Sequence, residues 1–339
     1  MTRPFDIRDV GLLQRLAATA RPLACWAAAV DGLYPLREAM RAYVSAGRDA
    51  AVVLVDRAAS SSEDGAFGMM QMLPTSEPHQ STTNPTPRWA VLTMLGAQSQ
   101  GEARLESWER ILLGLVAEAA QRGVHHIVTE SPESGPEWEA LQAAGFVPLL
   151  QQDLLKVSLP LEGGGHAGEL PGLREQGKDD EPLIRLLHQR IAPKMTYPAE
   201  AALDQFVGHH LRRGWLLTRN NELVAYAAVH QGRRGYGLQL LFRPEAEEDA
   251  RSMLEHCLAR LRGSAYVTVR HHHSWLLPVL DQLGFVHLTS TVLMVRHVAA
   301  KVQQPVWSHA VEHAAIYTTR SAMHITWPPP QPHGDKRGR

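Results

Sequence analysis

Hydrophobic and polar positions form blocks along the chain, and these blocks predict the same series of elements in both halves. In each half, three apolar runs of strand length precede a stretch whose apolar positions lie three and four residues apart, which is typical of one buried helix face. The predicted strands are Ala50–Asp56, Ala66–Leu73, Trp89–Leu95, 215–219, Leu223–Val229 and Tyr236–Phe242, and the predicted helices cover Leu105–Ala120 and the region around Met253–Leu261.

Each half also ends in a similar motif. Residues 141–147 read Leu-Gln-Ala-Ala-Gly-Phe-Val, and residues 280–286 read Leu-Asp-Gln-Leu-Gly-Phe-Val. Both motifs follow a predicted strand and a short helix near a tryptophan, and both lead into an apolar run. Because a repeated order of elements is the signature of a repeated structural unit, the sequence predicts two copies of one domain.

The repeat sets the predicted domain boundaries. The first copy covers residues 1–157 and the second covers residues 173–300. Residues 158–172 are rich in glycine and are expected to form a flexible linker. Residues 301–339 form a C-terminal extension that is expected to be disordered at its proline-rich end.

Composition and charge narrow the class of protein. A length of 339 residues suits about two domains, and 44% hydrophobic residues allow a core in each. The 34 basic and 35 acidic residues leave no basic excess for a nucleic acid. Cys25 and Cys257 are the two cysteines, too few for a disulfide framework. Since no stretch approaches 18 apolar residues, we expect a cytoplasmic protein that binds neither nucleic acid nor membrane.

The order of elements, together with the motifs Leu141–Val147 and Leu280–Val286, resembles the GCN5-related N-acetyltransferase (GNAT) superfamily, as a tandem pair over about 5–157 and 173–297. The shared glycine has a physical reason, because a left-handed residue ends the helix before the next strand. The resemblance implies an α/β fold with a mixed sheet, built from two tandem GNAT-like acyl-CoA N-acyltransferase domains. It also implies transfer of an acetyl group from acetyl-CoA, as cosubstrate, to a small-molecule amine or a peptide.

Enzymes of this superfamily bind the pyrophosphate at a glycine-rich turn before the long helix, through backbone N–H groups and the helix dipole. The corresponding turn of the second copy has no glycine and carries four carboxylates. They stabilise a helix N-terminus by about 0.3–1 kcal/mol each and repel a pyrophosphate. We therefore expect the second copy to be non-catalytic and not to bind CoA in the usual way. The four residues are Glu245, Glu247, Glu248 and Asp249.

The turn of the first copy is the predicted cosubstrate site. Its glycines and small residues leave the backbone accessible, and Arg104 is placed to meet a phosphate. An ordinary polar loop before a helix explains these residues almost as well. Ser134 stands where the superfamily often has asparagine. The predicted cosubstrate-binding residues are Leu95, Gly96, Ala97, Gln98, Gln100, Gly101, Arg104 and Ser134.

The usual catalytic groups are only partly represented. The tyrosine that often protonates the leaving thiolate would fall four residues before the glycine, where this chain has Leu141 and Leu280. Glu130 directly follows the predicted strand at residues 124–129. It is the candidate general base, acting through water; a solvated loop carboxylate is the alternative. His271–His273 are adjacent and would point to alternating sides, so we expect no metal site.

Two functional hypotheses follow. In the first, the chain is an acyl-CoA-dependent N-acyltransferase whose first copy holds acetyl-CoA. In the second, both copies have lost catalysis and the chain is a tandem GNAT-fold scaffold that binds a ligand or a partner. Fold alone does not decide between them. The acceptor amine stays open, and the chain is expected to be a monomer or a homodimer.

Overall fold

The computed structural model describes residues 2–45, 51–57, 65–74, 89–161, 170–207 and 212–298. The predicted extension at 301–339 and residues 162–169 of the predicted linker lie outside the described residues. The elements of the first copy are β1 (Thr2–Pro4), α1 (Val10–Ala17), β2 (Arg21–Pro22), α2 (Cys25–Val30), α3 (Pro35–Val44), β3 (Ala51–Arg57), β4 (Gly65–Met72), β5 (Trp89–Ala97), α4 (Glu102–Gln121), β6 (His126–Ser131), α5 (Pro136–Ala143) and β7 (Val147–Leu159).

The second copy repeats this order, but its described residues include no counterpart of β2 or α3. Its elements are β8 (Leu173–Glu175), α6 (Glu181–Ile191), α7 (Tyr197–Val207), β9 (Arg212–Arg219), β10 (Glu222–Gln231), β11 (Tyr236–Phe242), α8 (Glu247–Leu258), β12 (Gly263–Arg270), α9 (Leu277–Gln282) and β13 (Val286–His297). Every strand that the apolar runs predict is present. The long helix of the first copy begins at Glu102, three residues before its apolar stripe, because Gly101 takes a positive φ of 58° and starts the helix.

The described strands form one mixed sheet, in the order β1-β3-β4-β5-β6-β13-β7-β12-β11-β10-β9-β8, with β2 added beside β5. Neighbours are antiparallel except for two parallel pairs, β5 with β6 and β11 with β12. The first half of this order mirrors the second about the pair β13 and β7. The predicted duplication is therefore visible as an approximate two-fold arrangement of strands.

The last strands of the two copies are exchanged. β13, from the second copy, lies between β6 and β7 of the first copy and pairs with β6 from Val292↔Ser131 to His297↔His126. β7, in turn, pairs with β12 from Gly263↔Leu159 to Arg270↔Gln152. The final strand of each copy therefore pairs with a strand of the other copy, β13 with β6 and β7 with β12. A single sheet joins both copies.

Helices also cross the junction. α2 of the first copy packs on β11 and β12, and the indole Nε1 of Trp26 donates to the carbonyl of Tyr266 at 3.3 Å. α7 of the second copy packs on β5 and β6, with Ala199 and Leu203 buried against Val128. The long helices α4 and α8, in contrast, each pack on the apolar core of their own copy. None of the described helices is both long and apolar enough to span a bilayer.

Candidate functional site

Each copy contains a gap where its two parallel central strands separate. In the first copy, β5 and β6 pair only from Trp89↔His126 to Val91↔Val128. The backbone just before α2 fills the space beyond. Leu23 donates its N–H to the carbonyl of Thr93 at 2.8 Å and accepts the N–H of Glu130 at 2.9 Å. The first gap is thus closed by a piece of the chain itself.

The closing segment is a short added strand, held at both ends. β2 pairs with β5 at Arg21↔Leu95. The Arg21 guanidinium forms an ion pair with the buried carboxylate of Glu137 on α5, with Nε and Oε1 3.0 Å apart. The Leu23 side chain is fully buried in the first core. Residues 21–23 therefore occupy the edges of β5 and β6 to which an extended ligand arm would bind in the first copy.

The predicted cosubstrate residues of the first copy divide between a strand and a turn. Leu95, Gly96 and Ala97 are buried within β5, and the face of Gly96 is covered by the Phe67 ring. Gln98 and Gln100 are exposed in the turn, and Gly101 starts α4.

Arg104 and Ser134, both predicted to contact CoA, lie in different places. The Arg104 side chain makes contacts within its own turn and helix, and Ser134 lies outside that turn. Arg104 donates from Nε to the carbonyl of Ser99 at 2.9 Å, and its guanidinium carbon lies 5.6 Å from the centre of the Trp108 ring. Ser134 is exposed in the loop before α5. The turn and Arg104 therefore meet at the N-terminus of α4, whereas Ser134 lies at the start of another helix.

In the second copy, β11 and β12 pair from Tyr236↔Ala265 to Leu238↔Val267 and then separate. Side chains, rather than backbone, bridge this second gap in the described part of the chain. The Asp204 carboxylate accepts from Gln239 Nε2 at 2.9 Å and from Arg270 Nη2 at 2.5 Å. The gap itself holds a space of only about 20 Å³, lined in part by Trp26, Leu238 and Leu240. A separate pocket of about 550 Å³ lies past the ends of β11 and β12; it is lined by Arg190, Ile191, Glu222, Phe242, Arg243, Pro244, Glu245, His272, His273 and Trp275.

The acidic turn beside this pocket is partly neutralised. Arg243 pairs with Glu222 at 2.9 Å and with Glu245 at 3.0 Å. Arg219 pairs with Asp249 at 2.7 Å. The turn into α8 passes through a short 3₁₀ segment, and Glu247 and Glu248 remain in the first turn of the helix, where their charge favours the helix and disfavours an added phosphate.

Glu130 lies within β6 and is 4% exposed, so it is not the solvated loop carboxylate of the alternative prediction. It accepts hydrogen bonds from the N–H groups of Cys25 and Trp26, which begin α2, and from the Gln152 side chain. Burial raises the pKa of the Glu130 carboxyl, and the hydrogen bonds oppose this shift. The observed contacts anchor α2 over the second copy; a role in proton transfer stays a prediction.

A buried charged cluster surrounds Arg270 where the two copies meet. Arg270 lies 3.3 Å from Glu200, which also contacts His188 Nε2 at 3.3 Å. Although burial acts in the opposite direction, the hydrogen bond from His188, the charge of Arg270 and the hydrogen bond from Thr196 lower the pKa of Glu200 to about 2. This cluster was not predicted from the sequence. The available signal was Glu200 and Asp204, four residues apart and therefore on one helix face.

The three consecutive histidines form a short 3₁₀ turn, His271–Leu276. Burial lowers the pKa of His273 to about 3 and also lowers that of His272. Among the described residues, no group of three or more His, Cys, Asp or Glu side chains is arranged to hold a metal ion. Leu141 and Leu280, at the places of the usual tyrosine, are fully buried in the two cores.

Comparison with known proteins bears on the fold. No protein-family model matches the sequence, and no curated protein matches it either. A GCN5-related N-acetyltransferase from Sphaerobacter thermophilus superposes with a TM-score of 0.50 at 14% identity, covering 90% of this chain and 97% of that chain.

Two further solved structures are similar. One is a tandem GNAT protein from the clavulanic acid biosynthesis pathway, with a TM-score of 0.49 at 14% identity over 89% of this chain and 99% of that one. The other is a putative acetyltransferase from Pyrococcus horikoshii, with a TM-score of 0.49 at 11% identity over 89% and 91%. On the repeated order of elements and the Sphaerobacter superposition, the chain has the fold of the GCN5-related N-acetyltransferases.

Proposed function

We propose that the chain is an acyl-CoA-dependent N-acyltransferase with one working site, located at the gap between β11 and β12. The observation that carries this proposal is the contrast between the two gaps. The backbone of Leu23 fills the first, whereas among the described residues side chains alone bridge the second, and a pocket of about 550 Å³ lies past the ends of β11 and β12. All the described residues that line this pocket belong to the second copy.

The pocket suits the pantetheine arm of an acyl-CoA better than its phosphates. Ile191, Phe242 and Trp275 supply apolar wall, and Arg190 supplies positive charge, whereas Arg243 is paired with Glu222 and Glu245 in the same lining. The carboxylates of the α8 turn disfavour a pyrophosphate in the usual place. We therefore propose that the cosubstrate is recognised mainly through its thioester arm.

The chemistry needs few groups from the protein. The amine lone pair attacks the thioester carbonyl carbon, the C–N bond forms and the C–S bond breaks, with its electron pair leaving on sulfur. The proton that the amine loses is taken up by a base or water and balances the thiolate. The free edge of β11 beyond Leu238 supplies backbone N–H groups to the carbonyl oxygen, in the manner of an oxyanion site.

The first-copy site and the expectation of a non-catalytic second copy both stay predictions, and this proposal departs from both. For Leu95 to Ala97, the added strand of Arg21–Leu23 occupies the adjoining edge. The Glu130 carboxylate already accepts hydrogen bonds from the backbone of α2 and from the Gln152 side chain. The turn at Gly101 and Arg104 is accessible, but it does not adjoin an open gap.

A second candidate function is a non-catalytic ligand-binding scaffold. The filled first gap favours it, because one of the two expected cosubstrate clefts is closed. Leucine at both tyrosine positions and the acidic turn of α8 point in the same direction.

Thermal unfolding with acetyl-CoA tests whether the cosubstrate binds and which copy holds it. A ligand at a hundred times its dissociation constant adds about 2.7 kcal/mol to the free energy of unfolding. We expect that gain in the native chain and in Gly101→Glu, and its loss in Ile191→Trp, which fills the second-copy pocket. Leu186→Trp, at an exposed position of the same helix, is the matched control.

Each outcome decides the matter. Loss of the gain in Gly101→Glu, with retention in Ile191→Trp, would move the cosubstrate to the first copy. No gain in the native chain at millimolar acetyl-CoA would overturn the enzyme proposal and leave the scaffold.

A further inference from the structure

Two histidines face each other where the exchanged strand β13 ends beside β6. His126 begins β6 and His297 ends β13, and the two residues are direct partners across the strands. The Val298 N–H donates to the carbonyl of His125 at 2.8 Å. That bond places His126 opposite His297 in a non-hydrogen-bonded pair, the position at which antiparallel strands bring side chains closest together. Each copy therefore contributes one ring.

The two imidazole rings direct their Nδ1 atoms at each other. These atoms are 3.0 Å apart, and the ring planes are nearly perpendicular, at 82°. The His126 ring also stacks on the ring of Trp89, with the ring centres 4.5 Å apart and the planes at 29°. Stacking limits rotation of the His126 ring, whereas His297 is exposed to solvent. The pair is thus held in place on one side and accessible on the other.

The spacing of the two nitrogens suits a metal ion. With bonds of about 2.0–2.1 Å, two nitrogens at right angles around one ion are about 2.9 Å apart, and two at the tetrahedral angle are about 3.3 Å apart. The observed 3.0 Å is closer to the right-angled arrangement, which Cu(II) and Ni(II) adopt with nitrogen ligands.

Binding of an ion needs only a change of tautomer. In the metal-free pair, one neutral ring donates its Nδ1 hydrogen to the lone pair of the other. When that ring carries its hydrogen on Nε2 instead, both Nδ1 lone pairs are free and converge on one point. Neutral imidazole is the form of histidine that binds metals.

We propose that His126 and His297 form a two-histidine chelate for a divalent transition metal ion, Cu(II) or Ni(II), with water in its remaining positions. The site lies outside the histidine turn His271–His273, departs from the expectation that the chain binds no metal, and is independent of the proposed function. Because the two ligands come from different copies, the ion links the start of β6 to the end of β13. Binding therefore holds the last pair of the exchanged strand.

Binding of Cu(II) to the full chain, without a histidine tag, tests the chelate. In electron paramagnetic resonance, the first equivalent of Cu(II) should show hyperfine splitting from two imidazole nitrogens. His126→Gln and His297→Gln should each weaken that equivalent at least about tenfold, because a single imidazole loses the advantage of two linked ligands. His125→Gln, at the exposed neighbouring position, is the matched control and should bind like the native chain.

Hydrogen exchange locates the bound ion. Saturating Ni(II) should slow exchange of the Val298 amide, which donates to His125, in the native chain but not in His297→Gln. A first Cu(II) equivalent that survives in both glutamine variants would be adventitious binding at other histidines and would overturn the inference. No binding at micromolar Cu(II), an equal loss in His125→Gln, or unchanged exchange of Val298 would also overturn it. Because acetyl-CoA is absent from both measurements, their failure is distinct from failure of the proposed function.

Discussion

At the residue scale, the clearest sign of duplication is an equivalent arginine–aspartate ion pair near the start of each copy. Arg3 holds Asp9 through two hydrogen bonds of 2.7 and 2.8 Å, and Arg174 holds Asp180 through two of 2.7 Å. In both, the same carboxylate also accepts a backbone N–H three residues earlier, and so closes a 3₁₀ turn. The spacing of six residues from arginine to aspartate is readable in the sequence, but only the repeat makes it meaningful.

Asp180 is expected to contribute stability that depends on pH. Hydrogen bonds from Arg174 and from the Gly177 N–H lower the pKa of Asp180 to about 2, below its ordinary 3.8. Its stabilisation is therefore present above about pH 4 and is lost as the pH falls toward 2. Asp180→Asn should lower the free energy of unfolding by about 1–2 kcal/mol at pH 7, because Arg174 is half exposed and water weakens the pair.

Urea unfolding at pH 7 and at acid pH measures this effect. The difference between the native chain and Asp180→Asn should shrink as the pH falls toward 2, while Asp179→Asn, at the exposed neighbouring position, follows the native chain throughout. A difference that stays constant with pH would show that the carboxylate charge contributes nothing.

At the element scale, the segment between α1 and α2 determines what the first copy can bind. In the second copy, the corresponding stretch between α6 and α7 forms no strand, and α7 instead places Asp204 at the gap. The same fold thus carries a closed cleft in one copy and an opening cleft in the other. The difference arises in a connection, where sequence changes leave the sheet intact.

Leu23→Ala tests how firmly that segment is held. Leu23 is fully buried, so its truncation should cost about 2–4 kcal/mol of unfolding free energy through lost burial and the cavity left behind. Leu183→Ala, at a half-exposed position of α6, should cost less than about 0.5 kcal/mol. If urea unfolding gave both variants the same small loss, the segment would not be a fixed part of the first copy.

At the scale of the whole molecule, the exchange of final strands ties the copies into one sheet. β13 supplies the partner of β6, and β7 supplies the partner of β12, so neither copy completes its sheet alone. Glu130, Gln152 and Arg270 then meet at the junction from β6, β7 and β12. This buried cluster at the junction is therefore a property of the pair of copies.

We expect the two copies to unfold together. Ile111 is fully buried in α4 of the first copy, and Ile111→Ala should cost about 2–4 kcal/mol. Hydrogen exchange of β10 peptides in urea should show the same lowered midpoint as β4 peptides. Leu113→Ala, half exposed on the same helix, is the control. Second-copy peptides that kept their native midpoint would mean that the copies are independent despite the exchange.

Local patterns in the sequence were sufficient for the order of elements and for the fold. The strand Tyr236–Phe242 and the helix α4 form because apolar side chains are buried on the sheet or on one helix face. The spacing of those apolar positions and the turn residues beside them reveal both elements in the sequence. The Gly-Phe motif marks its helix end through a positive φ at Gly145 and at Gly284. These features need only neighbouring residues, so a single sequence contains them.

Tertiary structure alone decided which strand edges are joined and which gap is open. The edges of β6 and β12 are similar. No local feature of the sequence decides whether β6 pairs with β7 or with β13, or whether β12 pairs with β13 or with β7. The closure by Leu23 joins it to Thr93 and Glu130, and the contacts of Glu130 with Cys25 and of Gln152 with Arg270 also join segments that are far apart along the chain. Their free energy comes from sheet pairing and burial between distant segments, which the pattern along the chain does not specify.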